Sequence, residues 1–177
     1  MNEIALFADL IKLVLAGLII FFIGWTVVRN YLDQRVSESQ VAVRKAMITH
    51  TLPLQLQAYE RVTLFLERIN PSNMLLRLHV TGISAREFQQ LLLADIRAEF
   101  QHNLTQQLYV SPRVWAITRR VKEDTITVIS NAAQGLSEDA PSVELSKVIL
   151  THLANLQSGN PYDAALELVK SEVQQLF

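Results

Sequence analysis

The feature that most constrains this chain is the stretch from Leu10 to Val28, LIKLVLAGLIIFFIGWTVV, in which Lys12 is the only charged residue. Nineteen helical residues rising about 1.5 Å each span roughly 28 Å, close to the ~30 Å hydrocarbon core of a bilayer. The stretch reads as one transmembrane helix. Lys12 lies near enough to the upstream end to extend its ammonium outward. Trp25, Arg29 and Tyr31 mark the downstream edge, where amphipathic rings and basic side chains settle at the headgroups. A signal peptide would need basic residues in front, but MNEIALFAD carries Glu3 and Asp9, and the following VVRNYLDQR has no small-x-small cleavage pattern. A buried core helix seldom runs so long without a polar face.

Within the span, Gly17 and Gly24 are seven residues apart and fall on nearly the same side, with Ala16 beside them. Small residues gain nothing against lipid tails but allow a neighbouring backbone to approach closely. This side is the expected helix-packing surface, toward a second copy or toward another membrane subunit.

The sequence divides into a short tail (residues 1–9), the span (10–28), a polar juxtamembrane spacer (29–50) and a domain (51–177). Taking Lys12 from the basic total of 16, and Glu3 and Asp9 from the acidic total of 17, leaves fifteen of each in residues 29–177. That balance speaks against nucleic acid, whose binders carry a basic excess. The absence of cysteine removes disulfides, thiolate metal sites and a cysteine nucleophile. Arg29, Arg35, Arg44 and Lys45 follow the span closely, so the positive-inside rule places the domain in the cytoplasm and the N-terminus outside.

The spacer contains neither proline nor glycine and is expected to be helical, with a thin seam of Leu32, Val36, Ser39, Val43 and Ala46. Beyond it, five prolines (Pro53, Pro71, Pro112, Pro141 and Pro161) stand where apolar-periodic segments begin, and proline suits the first turn of a helix. Asn70, Ser111 and Asn160 precede three of them as expected N-caps, and Ser84 with Glu87 forms a capping box.

Stripes of helical period follow. Leu52, Leu56, Tyr59, Val62, Leu66 and Ile69 form the first, and Phe88, Leu92, Ile96, Phe100 and Leu104 the second. Val114, Ile117, Val121 and Val128 form a third. Leu145, Ile149, Leu153 and Leu156 make a fourth, and Tyr162, Leu166, Val169, Val173 and Leu176 a fifth. A short helix from Pro71 to about Val80 joins the first two. Thr125–Ser130 alternates like a strand, but it has no strand to pair with and is read as helix. The expected fold is all-α: one transmembrane helix, a helical spacer and a soluble bundle, with a possible sub-boundary at residues 131–141.

Chemistry is sparse. Glu99 and His102 have the Glu-x-x-His spacing of di-iron bundles, with Asp95 a turn earlier, yet the second such motif and the further carboxylates that site needs are missing. No phosphate loop and no nucleophile elbow occurs. The residues therefore assign no catalytic group, cofactor or metal ligand, and a membrane-tethered helical-bundle metalloenzyme is kept only as the alternative. Arg113, Trp115, Arg119, Arg120 and Lys122 form a basic patch around an aromatic, suited to anionic headgroups or a partner. Glu60-Arg61 and Glu67-Arg68 repeat at seven residues and share one face of the first domain helix.

The span, the segment YERVTLFLERINPSNMLLRL (Tyr59 to Leu78) and the segment EFQHNLTQQLYVSPRVW (Glu99 to Trp115) together resemble an uncharacterised family of small bacterial single-pass membrane proteins. That resemblance implies a bacterial inner-membrane location and carries no activity or site residue. The layout is also similar to the ATP synthase b subunit, which continues as a long charged stalk where this chain becomes apolar. The expected role is an accessory or scaffolding domain of a larger membrane assembly.

Overall fold

The computed structural model describes the backbone of residues 2–157 and 159–177, and the side chains of residues 12–15, 17–29, 31, 45, 48–157 and 159–177. The regular structure of the described backbone is all helix, with no strand. Six α-helices follow in order: α1 (Asn2–Ile69), α2 (Pro71–Arg77), α3 (Ala85–Asn103), α4 (Pro112–Gln134), α5 (Ser142–Ala154) and α6 (Pro161–Gln174), with a 3-10 helix over Leu104–Leu108. The chain forms two units, Met1–His50 and Thr51–Phe177. The spacer seam from Leu32 to Ala46 lies outside the residues whose side chains are described, as do Arg35 and Arg44.

The local signals set the helix starts. Pro71, Pro112 and Pro161 each occupy a first turn, where the missing N–H leaves nothing unpaired. The side chains of Asn70, Ser111 and Asn160 accept hydrogen bonds from the backbone N–H groups of Ser72, Val114 and Tyr162. Ser84 and Glu87 form the reciprocal capping box, and the two hydrogen bonds from Ser84 hold the Glu87 carboxyl below its usual pKa. Gly82 and Gly159 take φ of 83° and 80° in the turns before α3 and α6, a region closed to most side chains.

Pro53 departs from the pattern. It lies inside α1, where it removes one i→i−4 bond without ending the helix. The linking helix after Pro71 also stops at Arg77, three residues early.

In the unit Thr51–Phe177 the core joins stripes from every helix. Phe65, Leu66 and Ile69 of α1, Met74 of α2, Phe88, Leu92 and Ile96 of α3, Val114 and Ile129 of α4, and Leu145 and Ile149 of α5 are fully buried, with Tyr162, Ala165 and Val169 of α6 closing one side. The second stripe ends before Leu104, which is 37% exposed, because the chain tightens into the 3-10 helix there and the 3.6-residue period is lost.

The third stripe is corrected more substantially. The buried face of α4 is Val114, Thr118, Val121, Thr125, Ile129 and Ala132, with Ile117 and Val128 only partly buried. The threonines are admitted because their hydroxyls are satisfied locally: Thr118 Oγ1 donates to the Val114 carbonyl at 2.8 Å and Thr125 Oγ1 to that of Val121 at 2.6 Å. A buried hydroxyl without such a partner would cost about 1–3 kcal/mol.

Residues 131–134 continue α4, so the loop starts at Gly135. It is stitched down: Ala85 N–H donates to the Ala140 carbonyl at 2.7 Å and Ser142 N–H to that of Ile83 at 3.2 Å, while Arg86 pairs with Glu138. These bonds hold the starts of α3 and α5 together. On α3, Asp95 takes both ends of the Arg77 guanidinium, at 3.1 and 2.7 Å, and its hydrogen bonds raise the Arg77 pKa.

Truncating the core and the surface of α3 should have different consequences. Leu92→Ala is expected to cost about 2–5 kcal/mol, and Phe100→Ala, which leaves a gap between two rings, about 3–5 kcal/mol. Arg86→Ala removes one exposed pair and should cost under about 1 kcal/mol. Chemical denaturation of the purified chain distinguishes them, and equal tolerance of all three would mean the packing is misassigned.

Candidate functional site

The first candidate surface is the helix segment Lys12–Arg29, 18 residues with a mean hydropathy of 1.9 and no burial among its described side chains. By length and composition it can cross a membrane. Leu13, Ile20, Phe21 and Phe22 expose between 67% and 75% of their surface. Trp25 stacks on Phe21 with ring centroids 6.3 Å apart, and Lys12, Arg29 and Tyr31 are exposed at the two ends. A methyl group built on Gly17 or Gly24 would meet nothing within 4 Å. Ala16 lies outside the residues whose side chains are described.

The second candidate is the basic and aromatic set of α4, which the structure distributes over different sides of the helix. Trp115 and Lys122 are seven residues apart and share a side. Trp115 stacks on Phe100 with centroids 5.5 Å apart, and Phe100 leans on Phe65 at 5.8 Å. Lys122 Nζ sits 4.2 Å from the Phe100 centroid and 2.7 Å from Glu123 Oε1. Its ammonium is thus engaged inside the chain rather than offered to a headgroup. Arg113 and Arg119 are exposed. Arg120 stands about 200° round the helix from Lys122, 3.8 Å from Asp124, at the edge of a cleft of about 760 Å³ between α4, α5 and the start of α6.

Glu99 and His102 lie at the end of α3. The Glu99 carboxylate meets Arg68 at 2.8 Å, and His102 is exposed. Asp95, a turn earlier, is held by Arg77. Among the described residues no group of three or more histidines and carboxylates lies close enough to hold a metal ion.

Two hydroxyl contacts carry no signal in the periodicity. Tyr59 of α1 donates to Glu172 of α6 at 3.2 Å and accepts from the Ser111 N–H at 3.2 Å. Burial raises its pKa, against the lowering effect of the Ser111 N–H. Tyr162 of α6 shares a hydrogen bond with Thr125 in the middle of the α4–α6 contact, and burial pushes its hydroxyl up to about 12. Both tyrosines read from sequence as stripe residues. Their hydroxyl partners are 37 to 113 positions away in the chain, beyond the reach of any spacing rule.

These observations define a class: an all-α protein with a bundle from Thr51 onward and an unburied apolar helix before it. The chain belongs to the DUF7935 family, a family of unknown function whose model matches residues 5–176. No curated protein and no solved structure matches it.

The Tyr162 shift has a pH signature. An unfolded tyrosine ionises near pH 10 and the folded one near 12, so the unfolded state alone loses its proton between them. Stability due to this group is constant below about pH 10. It falls by up to ~3 kcal/mol as pH rises to about 12, where it levels off. In urea titrations, Tyr162→Phe should lose stability less steeply than wild type across that window. Parallel curves would show that the hydroxyl is not buried as described.

Proposed function

We propose that this protein is a membrane-anchored helical interaction domain, an accessory or scaffolding subunit of a larger assembly in the bacterial inner membrane. Its N-terminus lies outside and residues 51–177 lie in the cytoplasm. The observation that carries this reading is the segment Lys12–Arg29, whose apolar side chains nothing among the described residues covers. In water such a surface would drive aggregation; in lipid it is solvated. The basic residues following the span support the orientation. The layout of one span followed by helices, similar to that of the ATP synthase b subunit, supports an accessory role. Exposed Arg113 and Arg119 provide a surface for headgroups or for a partner.

Association within the membrane runs through the side holding Ala16, Gly17 and Gly24, toward a second copy or another subunit. A Cβ at Gly17 or Gly24 meets nothing within 4 Å, so the added bulk of Gly17→Ile with Gly24→Ile is directed at the contact between helices. The double variant should insert normally and lose association in a transmembrane reporter assay or lose a co-purifying subunit in mild detergent. An unchanged association signal with no co-purifying subunit in either form would contradict this reading.

A further inference from the structure

The doublets Glu60-Arg61 and Glu67-Arg68 acquire a geometric meaning in the unit Thr51–Phe177. The helix α1 buries Tyr59, Val62, Phe65, Leu66 and Ile69 and turns Leu64 outward, 49% exposed. At 100° per residue, Glu60 and Glu67 lie about 40–60° to one side of Leu64, and Arg61 and Arg68 about 40–60° to the other. The surroundings agree with the wheel. Glu60, Leu64 and Glu67 border a cleft of about 590 Å³ shared with α6. Arg61, Leu64 and Arg68 border one of about 350 Å³ shared with α3. Leu64 is therefore an apolar ridge with an acidic flank and a basic flank, and open space on both sides.

Such a face is complementary to itself in one orientation only. When two helices related by a two-fold axis run parallel, the left flank of each faces the right flank of the other. Here that sets glutamates against arginines twice over. In an antiparallel pair, glutamates would face glutamates and arginines would face arginines, which is repulsive. Among the described residues Glu60 and Arg61 have no ion-pair partner within the chain, and Arg68, though paired with Glu99, leaves half its side chain exposed.

We propose that two copies of this chain pair in parallel through the outward face of α1, Leu64 against Leu64, with Glu60 and Glu67 of each copy facing Arg61 and Arg68 of the other. This rests on the interaction-domain reading and names a second copy as its partner. The clefts beside Leu64 leave open space on both flanks of the ridge.

The chain has no cysteine, so a single introduced thiol reports the contact. Leu64→Cys in the full-length protein, oxidised in membranes, should give a disulfide-linked dimer, because positions on the two-fold axis approach within the ~7 Å that a disulfide tolerates. Lys147→Cys, exposed on α5, should not. Adding Glu60→Arg with Glu67→Arg makes both flanks basic, and adding Arg61→Glu with Arg68→Glu makes both acidic. Each should reduce cross-linking at least roughly tenfold, a loss of about 1.4 kcal/mol or more, and co-expression of the two should restore it as a mixed dimer. Arg61→Glu alone replaces the acidic variant if Glu99 rejects a carboxylate at position 68. No cross-link at position 64, or one indifferent to both charge sets, overturns the pairing. If the protein then still co-purifies with another membrane subunit, the interaction-domain reading survives without it. If nothing co-purifies, both fall.

Discussion

The unit Thr51–Phe177 depends on the buried side of α1. Val62, Phe65, Leu66 and Ile69 are removed from water almost completely, and at roughly 1.5–3 kcal/mol for each large side chain they anchor a large share of the burial. The other helices meet this stripe by different means. Phe100 of α3 packs on Phe65, Arg77 of α2 reaches the Arg68 carbonyl at 3.3 Å, and the Tyr59 hydroxyl ties the start of α4 to α6. Tyr59 connects three elements through one oxygen. Its removal would leave Ser111 and Glu172 seeking water at a partly buried site.

With one side of α1 committed to the core, the other is left to present charge around Leu64. The same division appears in α4, where a threonine-containing face goes inward and the arginines remain outside. What the fold supplies is a set of helical surfaces, each of a distinct character: apolar over residues 12–29, acidic and basic on either side of Leu64, and a larger open cleft where α4, α5 and α6 meet. Nothing in the described residues assembles these into a reacting centre.

Much of the bundle was legible because its signals are local. Proline at three first turns, the caps Asn70, Ser111 and Asn160, and the box of Ser84 and Glu87 all act within four residues, so spacing alone locates them. The pattern and the structure part where a side chain finds a partner that spacing does not reveal. Thr118 and Thr125 entered the core because carbonyls one turn back satisfy them, which a hydrophobic pattern cannot anticipate. Pro53 carries the sequence signal of a helix start, whereas α1 tolerates it internally. By spacing Lys122 belongs with the basic patch of α4, and the structure sets its ammonium over an aromatic ring. Its seven-residue distance from Trp115 was a usable clue that both lie against one aromatic ring, and Phe100 is that ring.

The central claim is that residues 12–29 hold the helical domain in a membrane with its C-terminus inside the cell. The most direct measurement is a C-terminal fusion, after Phe177, to a fluorescent protein that matures only in the cytoplasm, followed by alkaline carbonate washing of the membranes. The account predicts fluorescence that stays in the washed membrane pellet. Fluorescence released to the supernatant would contradict anchoring, and a non-fluorescent fusion retained in the pellet would contradict the orientation.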